Sequence, residues 1–380
     1  MSKKLYVQNN YYQGWKNTRC GLCLKCLDET GSPVDWFIVY KVPKLEDSSL
    51  DTLRSGFGYT YITDKSIKTT TNWILSTKTV DQIESIFGRT VDSVLNKLKK
   101  SSDVSLVAYN DEKPGTAKSS GGAHAKGLFA IDSVGAFWMT HSMPKFPDLT
   151  HNYRFPDNAK RNGQTAICIS IDAKDTKSID NIAYQMLIMR PNIYDMTIQS
   201  DLTDRSNLWY DLKHKKWIKN ITDNQMTIKS KNGLSITSFA KSNKYEKDIY
   251  SGLIATYFKE NLLVQSWRNG AGGRLDSDCT DKYKVQNIDK IQIPVIKIKD
   301  VDWQTTEDHS KWGITDDNSG QTYTCIADIN RMKSQFKRGG GSLCLESTKV
   351  WQIFKKSIEE VEGCPLKGHF TTKENASNRG

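Results

Sequence analysis

The residues best suited to chemistry sit in two short segments, His124-Ala125-Lys126 and Asp308-His309-Ser310-Lys311-Trp312. Each sets a histidine two positions before a lysine, in a chain with only six histidines. Residues i and i+2 of a β-strand project from the same face, so a strand carrying His-x-Lys presents an imidazole beside an ammonium. Two such strands brought together supply a nucleophile, a general acid and two cations for the non-bridging oxygens of a phosphodiester. That set suffices for cleavage without a metal ion, and no cofactor is expected. A single His-x-Lys recurs by chance. Its repetition in matching surroundings gives it weight.

Those surroundings read as strand, turn, strand. Ala123 to Ile131 and Ala136 to His141 are strand-like around a tight turn at Asp132-Ser133-Val134-Gly135. A two-residue loop at Ser133-Val134 pairs Lys126 with His141, which brings a third histidine to the face carrying His124. The second segment precedes a turn at Asp316-Asp317-Asn318-Ser319-Gly320 and a strand toward Ala327. Strand character also marks Asp35 to Lys41, Leu106 to Tyr109, Met226 to Ile228, Leu234 to Phe239 and Ile291 to Ile298. Helical spacing marks 83–99, 182–189, 250–262 and 350–358, the first of these closing on lysines. Asp111 to Gly122 is rich in Lys, Ser, Gly and Pro and reads as a mobile loop. The expected organisation is a polar extension over 1–25, a first lobe over 26–180, a second over 181–366 and a disordered tail over 367–380.

Composition bounds the partners. The 380 residues carry a net charge of +11, with 37% hydrophobic and 10% aromatic content, which describes a globular chain rather than a disordered one. No apolar run approaches the about 18 residues of a membrane span, so no membrane partner is expected. The positive charge attracts polyanions without regard to sequence, through binding that weakens with salt; solubility alone is the plainer reading. Eight cysteines suit an oxidising compartment, as do the sequons Asn220-Ile221-Thr222 and Asn375-Ala376-Ser377. Met1-Ser2-Lys3-Lys4-Leu5 is not followed by the apolar core of a signal peptide, which leaves the export route open.

Several longer blocks resemble the deoxyribonuclease II family: Gly31 to Lys41, His124 to Gly127, Gly135 to Ser142, Ser238 to Lys241, Tyr250 to Gly252, Glu307 to Trp312, Asp328 to Arg331 and Arg338 to Gly341. They run in the family's order over nearly the whole chain. The resemblance implies a mixed α/β (α+β) chain with a phospholipase D-like fold. Two similar lobes, each a mixed β-sheet flanked by helices, would enclose a site on a pseudo-two-fold axis. It further implies metal-independent endonucleolytic hydrolysis of DNA at acidic pH, through a phosphohistidine, to 3′-phosphate and 5′-hydroxyl ends. The implied partner is DNA, single- or double-stranded and of any sequence; the implied location is lysosomal or secreted, and the family suggests homodimers. Its positions imply the disulfides Cys26–Cys168, Cys279–Cys364 and Cys325–Cys344, with Cys20 and Cys23 left over.

Within that frame His124 and His309 are the reacting pair, in an order the residues do not settle, and Lys126 and Lys311 hold the phosphate. His141 is the third candidate, at a family-like position. Asn330, and Asp132 or Asp316, are candidates to orient an imidazole or bind phosphate. Trp138 and Trp312 could stack on bases, although tryptophans beside strands are more often core. Arg338-Gly339-Gly340-Gly341 could cradle an anion on its backbone or simply turn the chain. His151, His214 and His369 read as packing or surface residues. Cys20-x-x-Cys23-x-x-Cys26 offers three thiolates without a fourth ligand, a poor zinc site. One neutral and one protonated imidazole coexist best near or below the free pKa of about 6.5, so an acidic optimum is a physical expectation too. Two rival readings are a catalytically weak DNA-binding homologue and a phospholipase D-like phosphodiesterase acting on a non-nucleic-acid ester. The intact motifs oppose the first. The positive charge and the lack of an interfacial amphipathic helix oppose the second.

Overall fold

A computed structural model describes residues 24–116, 122–294, 302–316 and 320–364. The extension with Cys20 and Cys23, the turn residues 317–319, and the tail with His369 and the second sequon lie outside the described residues. Eight strands form the first sheet. They are β1 (Trp36–Lys41), β2 (Tyr59–Thr63), β3 (Ile74–Leu75), β4 (Ser105–Tyr109), β5 (Gly127–Ile131), β6 (Ala136–His141), β7 (Gln164–Ile171) and β8 (Ile193–Thr197). Their spatial order is β3-β2-β1-β7-β6-β5-β4-β8, antiparallel at every pairing.

The second sheet holds β9 (Asp223–Lys229), β10 (Ser235–Lys241), β11 (Leu262–Gln265), β12 (Val285–Gln292) and β13 (Asp302–Gln304). It continues with β14 (Trp312–Thr315), β15 (Tyr323–Ala327), β16 (Gly340–Glu346) and β17 (Ile358–Val361). The order is β13-β12-β11-β14-β15-β16-β10-β9, with β17 beside β12. One parallel pair, β11 with β12, makes this sheet mixed; the first has no parallel pair. The run β4-β5-β6-β7-β1-β2 matches β11-β14-β15-β16-β10-β9 neighbour for neighbour, so the molecule is a mixed α+β chain of two like halves.

The helices follow from caps and apolar spacing. Ser85 accepts the Gly88 N–H at 2.9 Å and starts Ile86–Lys100, whose Phe87, Val91, Val94 and Leu95 are buried. Asp175 caps Thr176–Met189 by accepting from Ser178, and Arg190 ends it in the left-handed region at φ 55°. The expected lobe boundary at residue 180 falls inside this helix, which packs on β9 and β10 of the second sheet. Ser347 caps Thr348–Lys355, which packs on β14 and β15. The helical spacing of 350–358 runs on past this helix, but Ile358 turns into β17 because β12 offers an open edge to pair with. Over 250–262 a wide-turned helix occupies Tyr250–Ala255 before the chain enters β11.

One apolar core lies between the two sheets and takes side chains from both, including Ile38, Phe129, Trp138, Ile169, Ile236, Trp312, Ile326 and Leu343. Separate clusters cover the outer face of each sheet. Three disulfides form with the expected pairings, Cys26–Cys168, Cys279–Cys364 and Cys325–Cys344. Cys26 is therefore not available as a metal-binding thiolate.

Candidate active site

Both His-x-Lys segments precede their strands rather than lying within them. β5 begins at Gly127 and not at Ala123, because its neighbour β4 ends opposite it at Tyr109. The residues before Gly127 must find other partners for their backbone groups. The hairpin register is the expected one, with Ile131 opposite Ala136, and the His141 N–H donates to the Lys126 carbonyl at 3.1 Å. At the matching place in the other half, the Ala327 N–H donates to the Lys311 carbonyl at 2.8 Å.

The two segments are held by each other's half. The His124 N–H donates to Gly339 O at 2.8 Å, just before β16. The His309 N–H donates to Gly163 O at 2.9 Å, just before β7. Each glycine ends a loop fixed by a buried lysine. Lys41, the last residue of β1, donates to Lys160 O and, at 2.9 Å, to Asn162 O. Lys241, the last residue of β10, donates to Gln335 O, Phe336 O and Arg338 O at 3.0, 3.0 and 2.6 Å. Burial pulls Lys41 down to about 7 and Lys241 to about 8.

The side chains around each histidine break this symmetry. Two residues past β4, Asp111 binds Lys126 and accepts from the Arg338 guanidinium at 3.0 Å; its Oδ2 is 3.8 Å from His124 Nε2. Burial alone would raise Asp111, but the charges of Lys126, His124 and Arg338 hold its carboxyl well below the usual range. His124 Nδ1 is 2.9 Å from Gln335 Oε1. Burial, then the charge of Lys126, keeps His124 well below its ordinary value, with Lys311 and Arg338 acting the same way and Asp111 opposing. Two residues past β11, the place of Asp111 is taken by Trp267, whose ring centroid is 4.7 Å from that of His309. Lys311 is buried, donates to His309 O at 2.8 Å, and is pulled to about 7 by burial and by Lys126. Asp328 accepts the Gly341 N–H at 2.7 Å and is raised by burial to about 7 despite Lys126 and Lys311 nearby. Asp308, fully buried, accepts from Tyr40 at 2.5 Å, Trp303 at 2.6 Å and the Ser310 N–H at 2.7 Å, which fixes the backbone on both sides of His309.

Of the sequence candidates, His124, Lys126, His309, Lys311 and Arg338 thus converge. Both histidines are half-buried, so a substrate can reach them, while both lysines lie beneath. His141 faces the Lys126 backbone as expected, but its ring is fully buried against Phe146 with both nitrogens lacking hydrogen bonds. Burial and the two lysines push it down to about 3. Asn330 is buried with its amide oxygen unpaired. Arg338 uses its side chain, not a glycine nest, donating to Gly122 O and Ala123 O at 3.1 Å each.

Other candidates fall elsewhere. Asp132 holds the far turn through the Val134 and Gly135 N–H groups and pairs with Lys97 at 3.1 Å. Six residues of extended chain place it about 20 Å from Lys126. Asp316 pairs with Lys355 at 3.8 Å. Trp138 and Trp312 are core residues donating to Tyr109 and Tyr40 at 3.0 and 3.3 Å. His151 and His214 are exposed, beside Asp148 and Tyr210 respectively. Asp111, Gln335, Trp267, Lys41 and Asp308 were not singled out from the sequence. Asp111 lay in a stretch that reads as a loop, Lys41 and Asp308 lay in family-like blocks without a role of their own, and Gln335 and Trp267 belong to no motif. Asp328 and Lys241 lay in the family-like blocks, and those blocks were the signal that could have found them.

The model of the family described as Deoxyribonuclease II matches residues 25–364 of the chain. Plancitoxin-1 of Acanthaster planci is 36% identical over 352 residues, covering 90% of this chain and 92% of that protein. Deoxyribonuclease-2-alpha of Sus scrofa is 33% identical over 347 residues, covering 90% and 91%. Deoxyribonuclease-2-beta of Mus musculus is 33% identical over 340 residues, covering 88% and 90%.

Proposed function

The chain belongs to the deoxyribonuclease II family, and from that premise we propose that it is a metal-independent acid endonuclease that leaves 3′-phosphate and 5′-hydroxyl ends. The family supports a hydrolytic nuclease; the chemistry proposed for it rests on the site. One imidazole of the pair His124 and His309 attacks phosphorus, and the other protonates the departing 5′-oxygen. Water then hydrolyses the phosphohistidine. Lys126, Lys311 and Arg338 supply positive charge where the transition state gathers negative charge on the non-bridging oxygens. Because the attacking group comes from the protein, the substrate needs no 2′-hydroxyl, and DNA of any sequence and strandedness is accepted through its backbone.

The observation that carries this reading is the reciprocal pair of bonds, His124 N–H to Gly339 O and His309 N–H to Gly163 O, which ties each His-x-Lys segment to the opposite half. The matched strand orders support the reading of two phospholipase D-like lobes, with the first reaching past residue 180 because β8 joins its sheet. Acidic pH suits the site because Lys311, pulled to about 7, is then fully charged. A lysosomal or extracellular setting accommodates both the acid requirement and the three disulfides.

The test is plasmid cleavage in EDTA at pH 5 by the wild type, His124→Ala and His309→Ala. Nicking by the wild type, lost by at least about 10³-fold in each variant, is the expected result. Activity that survives both substitutions overturns the reading. DNA binding without turnover by the wild type would instead favour the non-catalytic homologue.

A further inference from the structure

Two histidines related by near two-fold symmetry have no reason to play different parts unless their surroundings differ. Here they do. The Gln335 amide is buried, and its nitrogen points to Ser334 Oγ at 3.4 Å, leaving its carbonyl oxygen 2.9 Å from His124 Nδ1. A carbonyl oxygen only accepts, so Nδ1 carries the proton and Nε2 of the neutral ring keeps its lone pair. Asp111 stands 3.8 Å from Nε2, beyond hydrogen-bond reach, and spends its hydrogen bonds on Lys126 and Arg338, so its charge is the one influence there that favours a second proton. Lys126, Lys311 and Arg338 all oppose a second proton on this ring.

The matching positions in the other half carry different side chains. The loop that ends at Gly163 has Ala159 where the loop ending at Gly339 has Gln335, and an alanine side chain cannot accept a hydrogen bond. Beside His309 stands Trp267 in place of Asp111. An indole ring attracts a cation more than a neutral group, so this neighbour favours imidazolium.

We propose that Gln335 and Trp267 assign the two roles: Gln335 holds His124 as the tautomer whose Nε2 attacks phosphorus, and Trp267 backs a protonated His309 that serves as the acid. The assignment rests on the nuclease reading above and deepens it. In the first step the Nε2 lone pair forms the N–P bond as the P–O5′ bond breaks, and the His309 proton goes to the leaving 5′-oxygen. In the second, water gives a proton to the now neutral His309 and its oxygen bonds to phosphorus. The N–P bond breaks, its electron pair returns to His124, and the DNA leaves with a 3′-phosphate. His124 and His309 are the catalytic residues; Gln335 and Trp267 are positioning residues.

A duplex with one 5′-bridging phosphorothiolate separates the roles, because a departing thiolate needs no acid. His309→Asn should cleave this substrate at least about 10²-fold faster than the ordinary duplex. It should also accumulate a covalent DNA–protein adduct, mapped under alkaline conditions to His124. His124→Asn should cleave neither substrate. Rescue of His124→Asn with an adduct on His309 overturns the assignment, as does an absence of rescue in both variants. If the wild type fails to cleave ordinary DNA in EDTA, the nuclease reading itself has failed.

For Gln335, single-turnover adduct formation should slow about 10²-fold in Gln335→Leu at unchanged KM. Gln335→Glu, whose carboxylate accepts the same Nδ1–H, should retain most of the rate. A Gln335→Leu enzyme that forms adduct at the wild-type rate, or a Gln335→Glu enzyme as slow as Gln335→Leu, removes the positioning role.

Discussion

The segment around His124 and the segment around His309 share a backbone and differ in company. Each precedes a matched hairpin, each gives its histidine N–H to a glycine of the opposite half, and each glycine loop is capped by a buried lysine at the end of a matched strand. Around His124 the neighbours are ionic, with Asp111 tying Lys126 to Arg338. Around His309 they are aromatic and hydrogen-bonded, with Trp267 on the ring and Asp308 anchored by Tyr40 and Trp303. Symmetry of the backbone sets the two His-x-Lys segments in matching places. Asymmetry of the side chains gives the two imidazoles different neighbours, which is what the proposed division into nucleophile and acid requires.

The largest effect expected from breaking this comparison is at the two lysines. Lys126→Ala and Lys311→Ala should each lower kcat by about 10²–10³-fold, as loss of a transition-state charge partner does. They should part company in stability. Removing Lys126 strips the buried Asp111 carboxylate of one of its two cations, at a cost of about 3–5 kcal/mol, whereas Lys311 bonds to a backbone carbonyl and its loss should cost less. Urea unfolding of the two variants measures this, and equal destabilisation would mean that the ionic and aromatic surroundings are interchangeable.

No such difference is expected at the capping lysines. Lys241→Met removes a donor from three carbonyls, of which Gln335 O keeps the Arg338 N–H at 3.1 Å; two are left unpaired, as Lys160 O and Asn162 O are in Lys41→Met. At about 1–3 kcal/mol for each buried group left unpaired, the two variants should be destabilised to the same extent. Denaturation midpoints at fixed pH compare them; unequal losses would show that the two loops are not held alike.

The smallest effect concerns Asp328, whose place in the first half is taken by Ser142: each accepts the N–H across the sheet, from Gly341 at 2.7 Å and from Thr165 at 3.0 Å. Burial raises Asp328 to about 7, far above the ordinary value of an aspartate. The folded state therefore binds its proton more tightly than the unfolded chain does. Its stabilising contribution is complete below about pH 4 and is lost as pH rises through about 7. Asp328→Asn, which cannot titrate, should flatten that part of the Tm-against-pH curve by a few °C. An unchanged slope between pH 4 and 7 would mean that Asp328 is ionised throughout. A serine at the matching site adds no such dependence.

Much of this was legible before any coordinates. The turn at Ser133-Val134 set the register that places His141 opposite Lys126, because a two-residue loop leaves only one pairing. The helix of 86–100 and the strands β1, β4, β5, β6, β9, β10 and β15 followed from periodicity, with ends displaced by a few residues, whereas β2, β7, β8, β11 and β16 were not read. The disulfides came through resemblance rather than spacing. What escaped depended on distant chain. The His-x-Lys segments are not strand, since their hydrogen-bond partners lie across the molecule at Gly339 and Gly163. Ile358 left its helix for an edge of β12 that local periodicity cannot register. Asp111 belongs to a polar stretch that reads as loop, yet it is among the most tightly bound carboxylates of the site. Trp138 and Trp312 fell to the core, where large apolar side chains gain most from burial.

By itself the sequence determined which chemical groups the protein has for phosphodiester cleavage and the local hairpins that carry them, because strand alternation and turn chemistry act over a few residues. Only the tertiary structure decided that Gln335 faces one histidine and Trp267 the other. Those neighbours come from loops far from His124 and near His309 only through sheet pairing, and the electrostatic field at an imidazole depends on what surrounds it in space.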